Sequence, residues 1–211
     1  MDMTKAEVAA LALQLRKPEG AMAQQVGEAM AQFNAGAIAF TMNCLDLRPR
    51  DHVLEIGFGP GEAIAEAVRL TPEGYVAGID HSEDMLQMAE QRNHRAVMQE
   101  HVELTLGTAA ELPYEDESFD VVFAINVFHF WPNPTRELAE CHRVLKPGGQ
   151  VVFFLTHPSS WLPGIAETGV FTPREAKDVE RLLVSAGFKD IDSRSVETQP
   201  DGKGYVVIGK T

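Results

Sequence analysis

Residues 53–61 read Val-Leu-Glu-Ile-Gly-Phe-Gly-Pro-Gly, and this stretch decides how the rest of the chain is interpreted. Its first four residues favour a buried strand, its three glycines favour a tight turn, and residues 62–71 favour a helix. A strand, a glycine turn and a helix N-terminus in this order let a ligand approach bare backbone. Because Glu55 lies two residues before the first glycine, its carboxylate would repel a pyrophosphate. The stretch therefore favours a ligand that carries a positive group.

Strands and helices alternate from this stretch to the end of the chain. Helix starts are indicated by Ser82 as an N-cap residue and by Thr172 followed by Pro173 at the first helical position. This alternation predicts an α/β fold, a parallel doubly wound sheet with helices on both faces. The predicted strands are 53–56, 75–80, 102–106, 120–125, 151–155, about 188–195 and about 204–209.

Residues 1–47 are predicted to form an N-terminal helical cap segment, and residues 48–211 the ligand-binding part of what is a single domain overall. The first of three expected helices has Thr4 and Glu7 as a capping box, and Pro18 ends it. Two interpretations of the cap remain open. Its helices either pack against the sheet or form a lid over the ligand, with Arg16 and Lys17 at the edge.

Composition limits the class of protein. The chain has 211 residues, 45% of them hydrophobic, which suits one globular domain. Its net charge of −13 opposes nucleic acid as a partner. It has no apolar run long enough for a membrane span, no secretory signal and no Cys-x-x-Cys pair, so we expect a cytoplasmic protein. The seven histidines show no metal-ligand spacing, so no metal site is expected.

Asp80 gives the glycine turn a more specific interpretation. In doubly wound sheets, ligands bind beyond the carboxyl ends of the strands, and Asp80 ends the second predicted strand. A carboxylate at that position can accept hydrogen bonds from both hydroxyls of a ribose. The dinucleotide pattern would need glycine where this chain has Glu62. A ribose site combined with Glu55 therefore favours S-adenosylmethionine over a nicotinamide cofactor.

Four motifs, in order, resemble those of the class I S-adenosylmethionine-dependent methyltransferases of the small-molecule, type 11 kind. The resemblance covers roughly residues 50–210 and implies a Rossmann-like sheet of seven strands in the order 3-2-1-4-5-7-6, with the last strand antiparallel. The motifs are residues 53–61, Gly78-Ile79-Asp80-His81-Ser82-Glu83-Asp84-Met85-Leu86, Leu112-Pro113-Tyr114-Glu115-Asp116-Glu117-Ser118-Phe119-Asp120 and Val144-Leu145-Lys146-Pro147-Gly148-Gly149.

The resemblance also implies roles for individual residues. Glu55 and Gly57 would hold the amino end of the methionine, and the backbone of Gly59 and Gly61 would line the cofactor. Asp80 would bind the ribose, His81 and Met85 would flank the adenine, and Asn126 would offer its backbone carbonyl to the amino group. Thr108 stands where the family usually has Asp, and Ala110 replaces a frequent Glu. The adenine contact is therefore expected from the Thr108 hydroxyl or the Ala109 backbone.

Two histidines are candidates for the base that removes a proton from the methyl acceptor. His129 follows the fourth predicted strand and His157 follows the fifth, and histidine suits proton transfer near neutral pH. The alternative for each is a structural role. The aromatic residues of 128–131 either pack in the core or face an apolar or cationic substrate.

The sequence thus predicts an enzyme that transfers a methyl group from S-adenosylmethionine to the O, N or C atom of a small organic acceptor. Two alternatives remain, an RNA or protein methyltransferase and a non-catalytic S-adenosylmethionine-binding module. Amino-directed nucleic-acid enzymes usually carry Asn/Asp-Pro-Pro-Tyr/Phe after the fourth strand, where this chain has Asn126-Val127-Phe128-His129. The sequence carries no signal for the identity of the acceptor or for an oligomeric state.

Overall fold

The structure is a computed structural model and describes residues 3–198 and 202–211. Short 3-10 turns lie at Gly20–Met22, Phe128–Phe130, Pro158–Ser160 and Ala166–Thr168. The helices and strands of this part of the chain follow in the order α1 (Lys5–Arg16), α2 (Ala23–Phe33), α3 (Ala35–Cys44), β1 (His52–Ile56), α4 (Glu62–Leu70), β2 (Tyr75–Asp80), α5 (Glu83–Arg92), α6 (His94–Met98), β3 (Val102–Leu106), β4 (Phe119–Ile125), α7 (Thr135–Val144), β5 (Leu145–Thr156), α8 (Ala176–Ser185), β6 (Lys189–Thr198) and β7 (Gly202–Lys210).

The strands form one seven-stranded sheet in the order β3-β2-β1-β4-β5-β7-β6. Strands β1 to β5 pair in parallel, whereas β7 is antiparallel to both β5 and β6. This confirms the predicted strand order and the antiparallel last strand. In the centre of the sheet, Glu55 of β1 stands opposite Gly78 of β2 and Phe123 of β4. The carboxyl ends of the five parallel strands therefore meet along one edge.

Both faces of the sheet are covered by helices. Leu54 of β1 packs in a cluster with Leu138 of α7 and Val179 of α8. On the opposite face, Val53 packs in a second cluster with Ile64 of α4 and with residues of α3 and α5. The alternation of side chains along β1 thus feeds two cores, as expected for a strand buried on both sides.

Most element starts agree with the sequence, but the start of α8 does not. The side chain of Ser82 caps α5 by accepting a hydrogen bond from the Met85 backbone at 3.2 Å. Helix α8, by contrast, begins at Ala176 rather than directly after Thr172, with Glu175 and Asp178 as its capping pair. The reason is tertiary, because the Thr172 N–H donates to the His129 carbonyl at 2.8 Å and is held in an extended connection.

The N-terminal helices lie over the end of β2. The connection between α1 and α2 makes three hydrogen bonds there. The Arg16 carbonyl lies 2.8 Å from His81 Nε2, and the Pro18 carbonyl accepts from the Ser82 hydroxyl at 2.5 Å. The Gly20 N–H donates to the Asp84 carboxylate at 3.0 Å. The predicted cap segment also included residues 1 and 2, which lie outside the described residues. No helix in the described part of the chain is both long and apolar enough to cross a membrane.

Candidate active site

One cavity of about 830 Å³ lies along the carboxyl edge of the sheet. The residues that follow β1, β2, β3, β4 and β5 all contribute to its wall, and α1 and α2 cover it. Because these loops stand side by side in the order of the strands, the cavity has two ends. Asp80 and Thr108 lie at the β2–β3 end, and Thr156 lies at the β5 end.

The glycine turn after β1 brings backbone to the cavity wall. Gly57 has a φ of 71°, and its N–H donates to the Ile79 carbonyl at 2.7 Å. A Cβ at Gly57 would stand 2.5 Å from a methyl carbon of Val127, so no other residue fits without displacing the loop after β4. Gly59 lines the cavity as predicted. Gly61 does not line the cavity; it has a φ of 86°, and a Cβ there would meet Asn93 at 2.7 Å and Ala89 at 2.9 Å.

Glu55 places a buried carboxyl group in the cavity wall. The residue is 3% exposed, and its Oε2 has no hydrogen-bond partner among the described residues. Burial raises the pKa of Glu55 well above its usual range, and the nearby Asp80 and Glu62 raise it further. A buried acid without a partner is satisfied best by a cation, so this atom fits the ammonium group of a methionine moiety.

Asp80 stands beside it at the end of β2. One carboxylate oxygen accepts from the Gly59 N–H and the other from the Ser82 N–H, each at 2.9 Å. Burial raises the pKa of Asp80, while these two backbone hydrogen bonds oppose the rise. Each oxygen keeps a second lone pair, so the carboxylate fixed in this way can still accept from two hydroxyl groups. The geometry fits a ribose.

The other residues predicted for the cofactor border the same end of the cavity. Met85 is fully buried, Ala109 is buried and Thr108 is exposed, and His81 contacts the Arg16 carbonyl. All four line the cavity, as does Arg16, whereas Lys17 does not. Lys17 instead lies 3.8 Å from Glu19 in an exposed ion pair.

Asn126 has a structural role that the sequence did not indicate. It adopts a φ of 56°, which is unusual for a residue other than glycine and is typical of strained functional sites. Its side-chain oxygen accepts from the Thr156 N–H at 2.7 Å, and its amide donates to the side chain of Asn34 at 3.0 Å. Asn126 thereby joins β4, β5 and the start of α3 at the cavity wall.

The β5 end of the cavity is aromatic. The ring of His129 stacks on Phe171 at 4.5 Å between centroids and lies 5.5 Å from Trp161 and 4.2 Å from Phe130. Burial alone lowers the pKa of His129 to about 3, and its Nδ1 has no hydrogen-bond partner in the described structure. The imidazole is therefore neutral at physiological pH, with a buried nitrogen at a cavity wall.

His157 lies outside the cavity, contrary to what its position after β5 suggested. Its Nδ1 contacts the hydroxyl of Ser159 at 2.8 Å, and its Nε2 lies 3.2 Å from Glu175. The residue also caps the turn Pro158–Ser160 by accepting from the Ser159 N–H. These contacts give His157 a structural environment, and the structure brings only His129 of the two candidates to the cavity.

Two further polar residues of the wall were missed from the sequence. Thr156 Oγ1 and Glu137 Oε2 are buried without a partner among the described residues, and both side chains line the cavity. Thr156 directly follows the fifth predicted strand, so its position could have indicated a place in the cavity wall. Glu137 had none, since an acid in the first turn of a helix is ordinary.

The segment after β5 covers the aromatic end together with α1. Val8 and Ala12 of α1 pack against Ile165 and Phe171. The N-terminal helices provide one part of the cover, and the segment from Trp161 to Phe171 supplies a second part of it. The indole N–H of Trp161 donates to the Thr156 carbonyl at 3.0 Å and holds this segment to the sheet.

Comparison with known proteins agrees with this geometry. A family model described as a methyltransferase domain matches residues 54–153. The chain is 29% identical over 179 residues to YdaC, an uncharacterized methyltransferase of Bacillus subtilis, with 83% of this chain and 92% of that protein covered. It is 36% identical over 106 residues to a demethylmenaquinone methyltransferase of Symbiobacterium thermophilum, with 50% of this chain and 42% of that protein covered.

The fold recurs in solved structures. An S-adenosylmethionine-dependent methyltransferase from Aquifex aeolicus superposes with a TM-score of 0.69 at 19% identity, and 99% of each chain is covered. At this identity the similarity supports the fold alone. The chain thus spans nearly all of one curated relative but less than half the length of the other.

Proposed function

We propose that this chain, in which residues 54–153 match a methyltransferase domain, is a class I S-adenosylmethionine-dependent methyltransferase that methylates a small organic acceptor bound at the β5 end of its cavity. The observation that carries the proposal is the continuity of the cavity beyond the cofactor residues. Its volume of about 830 Å³ lies near the upper end of the range for small-molecule sites, roughly 300–1,000 Å³. A cofactor bound at Glu55 and Asp80 would leave space in this cavity for an acceptor at the β5 end.

At the cofactor end, the proposed contacts use polar atoms of the cavity wall that can still accept hydrogen bonds. Glu55 would hold the ammonium group, Asp80 the ribose hydroxyls, and the loop of Thr108 and Ala109 the base. When bound, S-adenosylmethionine supplies a methyl group that is already activated by its sulfonium. What the chain must add is alignment of the acceptor, which is worth up to several kcal/mol of the barrier.

At the acceptor end, the side chains favour an uncharged molecule with a flat apolar part. The aromatic rings of Phe130, Trp161 and Phe171 offer stacking surfaces, and no described Lys or Arg side chain lines this end of the cavity. The name of the relative from Symbiobacterium thermophilum gives a quinone, demethylmenaquinone, as its acceptor, which agrees with a flat ring at this end.

His129 is proposed to hold the hydrogen of the nucleophile. A neutral imidazole has one donor and one acceptor nitrogen, so the ring can accept a hydrogen bond from an O–H or N–H group of the acceptor. Its depressed pKa keeps the ring neutral, so Nδ1 stays available to accept this hydrogen bond and to orient the nucleophile toward the methyl group. The hydroxyl of Thr156, also without a partner, is placed to contact a second polar atom of the acceptor.

The test measures cofactor binding, and it measures turnover on a panel of phenols, quinols and amines by the release of S-adenosylhomocysteine. We expect His129→Ala to lower turnover by about tenfold, the effect of losing one hydrogen bond to the nucleophile, with cofactor affinity within about twofold of wild type. His157→Ala is the matched control and should retain turnover.

Three outcomes would contradict the proposal. Full activity of His129→Ala would remove the histidine from the mechanism. Loss of activity in His157→Ala alone would reverse the assignment of the two histidines. Cofactor binding without turnover on any acceptor of the panel would favour a non-catalytic binding module.

A further inference from the structure

Glu137 offers a buried acceptor atom that the proposed contacts do not use. It lies in the first turn of α7 and lines the cavity, and its Oε2 has no hydrogen-bond partner in the described part of the chain. A buried carboxyl oxygen left without a partner is costly, so such an atom in a ligand cavity indicates a donor on the ligand.

Contacts further along α7 fix where this atom lies. Glu140 accepts from the Leu112 N–H at 2.8 Å, and Arg143 donates to the Leu112 carbonyl at 3.0 Å and to the Tyr114 carbonyl at 2.7 Å. These bonds pin α7 to the loop that follows β3. Glu137 lies one turn nearer the N-terminus than Glu140 and lines the same cavity as Ala109 and Ala110 of that loop.

The same loop is where the base of the cofactor has to lie. Asp80 and Glu55 mark the ribose and the methionine, so the base extends from Asp80 away from Glu55, toward β3. The register of the sheet brings this about, since Asp80 pairs with Leu106 and the Gly107 N–H donates to the Asp80 carbonyl at 2.8 Å. The base then faces the loop that starts at Gly107.

That loop brings no carboxyl group of its own to the cavity. Thr108 is uncharged, Ala109 and Ala110 are apolar, and Glu111 is exposed and outside the cavity wall. The amino group of adenine is a donor of two hydrogen bonds. A carboxyl oxygen contributed by α7 would be its natural acceptor.

We propose that Glu137 recognises the adenine base by accepting a hydrogen bond from its 6-amino group. This inference rests on the cofactor assigned above. It makes Glu137 a specificity-determining residue, because a base with a carbonyl oxygen at the same position would place two acceptors face to face.

The test is isothermal titration of the full chain with S-adenosylhomocysteine and with S-inosylhomocysteine, in which a carbonyl replaces the amino group. Wild type should prefer the adenine compound by at least tenfold. Glu137→Ala should weaken binding of the adenine compound by about tenfold and reduce the preference to below threefold. Glu137→Gln, which keeps an acceptor oxygen, should fall between the two. Glu111→Ala, on the same loop but outside the cavity, is the matched control and should match wild type.

A second variant separates recognition from misfolding. Thr108→Asp in the Glu137→Ala background returns a carboxylate to this end of the cavity, at the position where the resemblance places an Asp, and should restore both affinity and preference. An unchanged preference in Glu137→Ala would overturn the role of Glu137 while leaving the cofactor assignment intact. No binding of either compound by wild type would overturn the cofactor assignment and this inference together.

Discussion

At the scale of single residues, the buried carboxyl group of Glu55 lowers the stability of the ligand-free protein. Its pKa is raised in the folded chain by burial and by Asp80 and Glu62, whereas in the unfolded chain it is near 4.3. Between those two values, the folded state binds more protons than the unfolded state. The free energy of unfolding therefore falls as pH rises through this window.

We predict that Glu55→Gln removes this destabilisation and weakens cofactor binding. The free energy of unfolding of the ligand-free variant at neutral pH should exceed that of wild type. Affinity for S-adenosylhomocysteine should drop about tenfold or more, because a hydrogen bond to a charged group contributes roughly 1.5–3 kcal/mol. Chemical denaturation and titration calorimetry measure the two effects.

The pH dependence gives this prediction its control. Wild-type affinity should rise with pH as Glu55 loses its proton, since only the carboxylate attracts the ammonium group, and Glu55→Gln should lack this component. An affinity in the variant equal to that of wild type would show that Glu55 does not face the ammonium group.

Residue by residue, the sequence indicated which residues line the β2–β3 end of the cavity better than which line the β5 end. Glu55 and Asp80 were accessible because a strand end fixes where a short side chain lies. His129 and His157 could not be told apart, since both follow strand ends and only tertiary contacts direct His157 to Ser159 and Glu175. Glu137 was out of reach, because its position depends on α7 being bonded to a loop more than twenty residues earlier.

At the scale of elements, the connection between α1 and α2 controls how the cavity is covered. The Gly20 N–H bonds to Asp84 of α5 beside two further bonds from the same connection. We predict that Asp84→Ala loosens it. Hydrogen exchange at Gly20 should accelerate, and cofactor affinity should fall a few-fold, since one exposed hydrogen bond contributes about 0.5–1.5 kcal/mol.

Glu83→Ala is the control for this variant. Glu83 is the other acid in the first turn of α5, so its removal changes the helix dipole interaction similarly but leaves the bond to Gly20. If both variants behave alike, the effect comes from the helix and not from the cover of the cavity.

Local chemistry predicted most elements because it agreed with the global fold. The continuous apolar run of β2 and the Ser82 cap of α5 needed no tertiary information. The start of helix α8 is a place where local sequence alone gives the wrong prediction. Thr172 and Pro173 make a good helix start, yet the Thr172 N–H bonds to His129, and Arg174 donates to the carbonyls of Trp131 and Pro132. These contacts hold the segment extended until Glu175.

At the scale of the whole molecule, one cavity joins the loops of five strands, so its ligand should stabilise the fold as a unit. S-adenosylhomocysteine at 100 times its Kd adds about 2.7 kcal/mol, which corresponds to a rise in Tm of about 5–11 °C for a domain of this size. Thermal unfolding with and without the compound measures this. A dinucleotide such as NAD should give no shift, and an equal shift by both would contradict the assigned cofactor.

The connection that covers the cavity bonds to His81, Ser82 and Asp84 through a carbonyl of Arg16, a carbonyl of Pro18 and an N–H of Gly20. On the side of the connection, all three are main-chain atoms. Apart from Gly20, whose φ of 70° favours glycine, the side chains of this stretch and of the helix before it can therefore change while these bonds persist. Substitutions in α1 can therefore change the surface that faces the acceptor, while the residues that bind the cofactor stay the same.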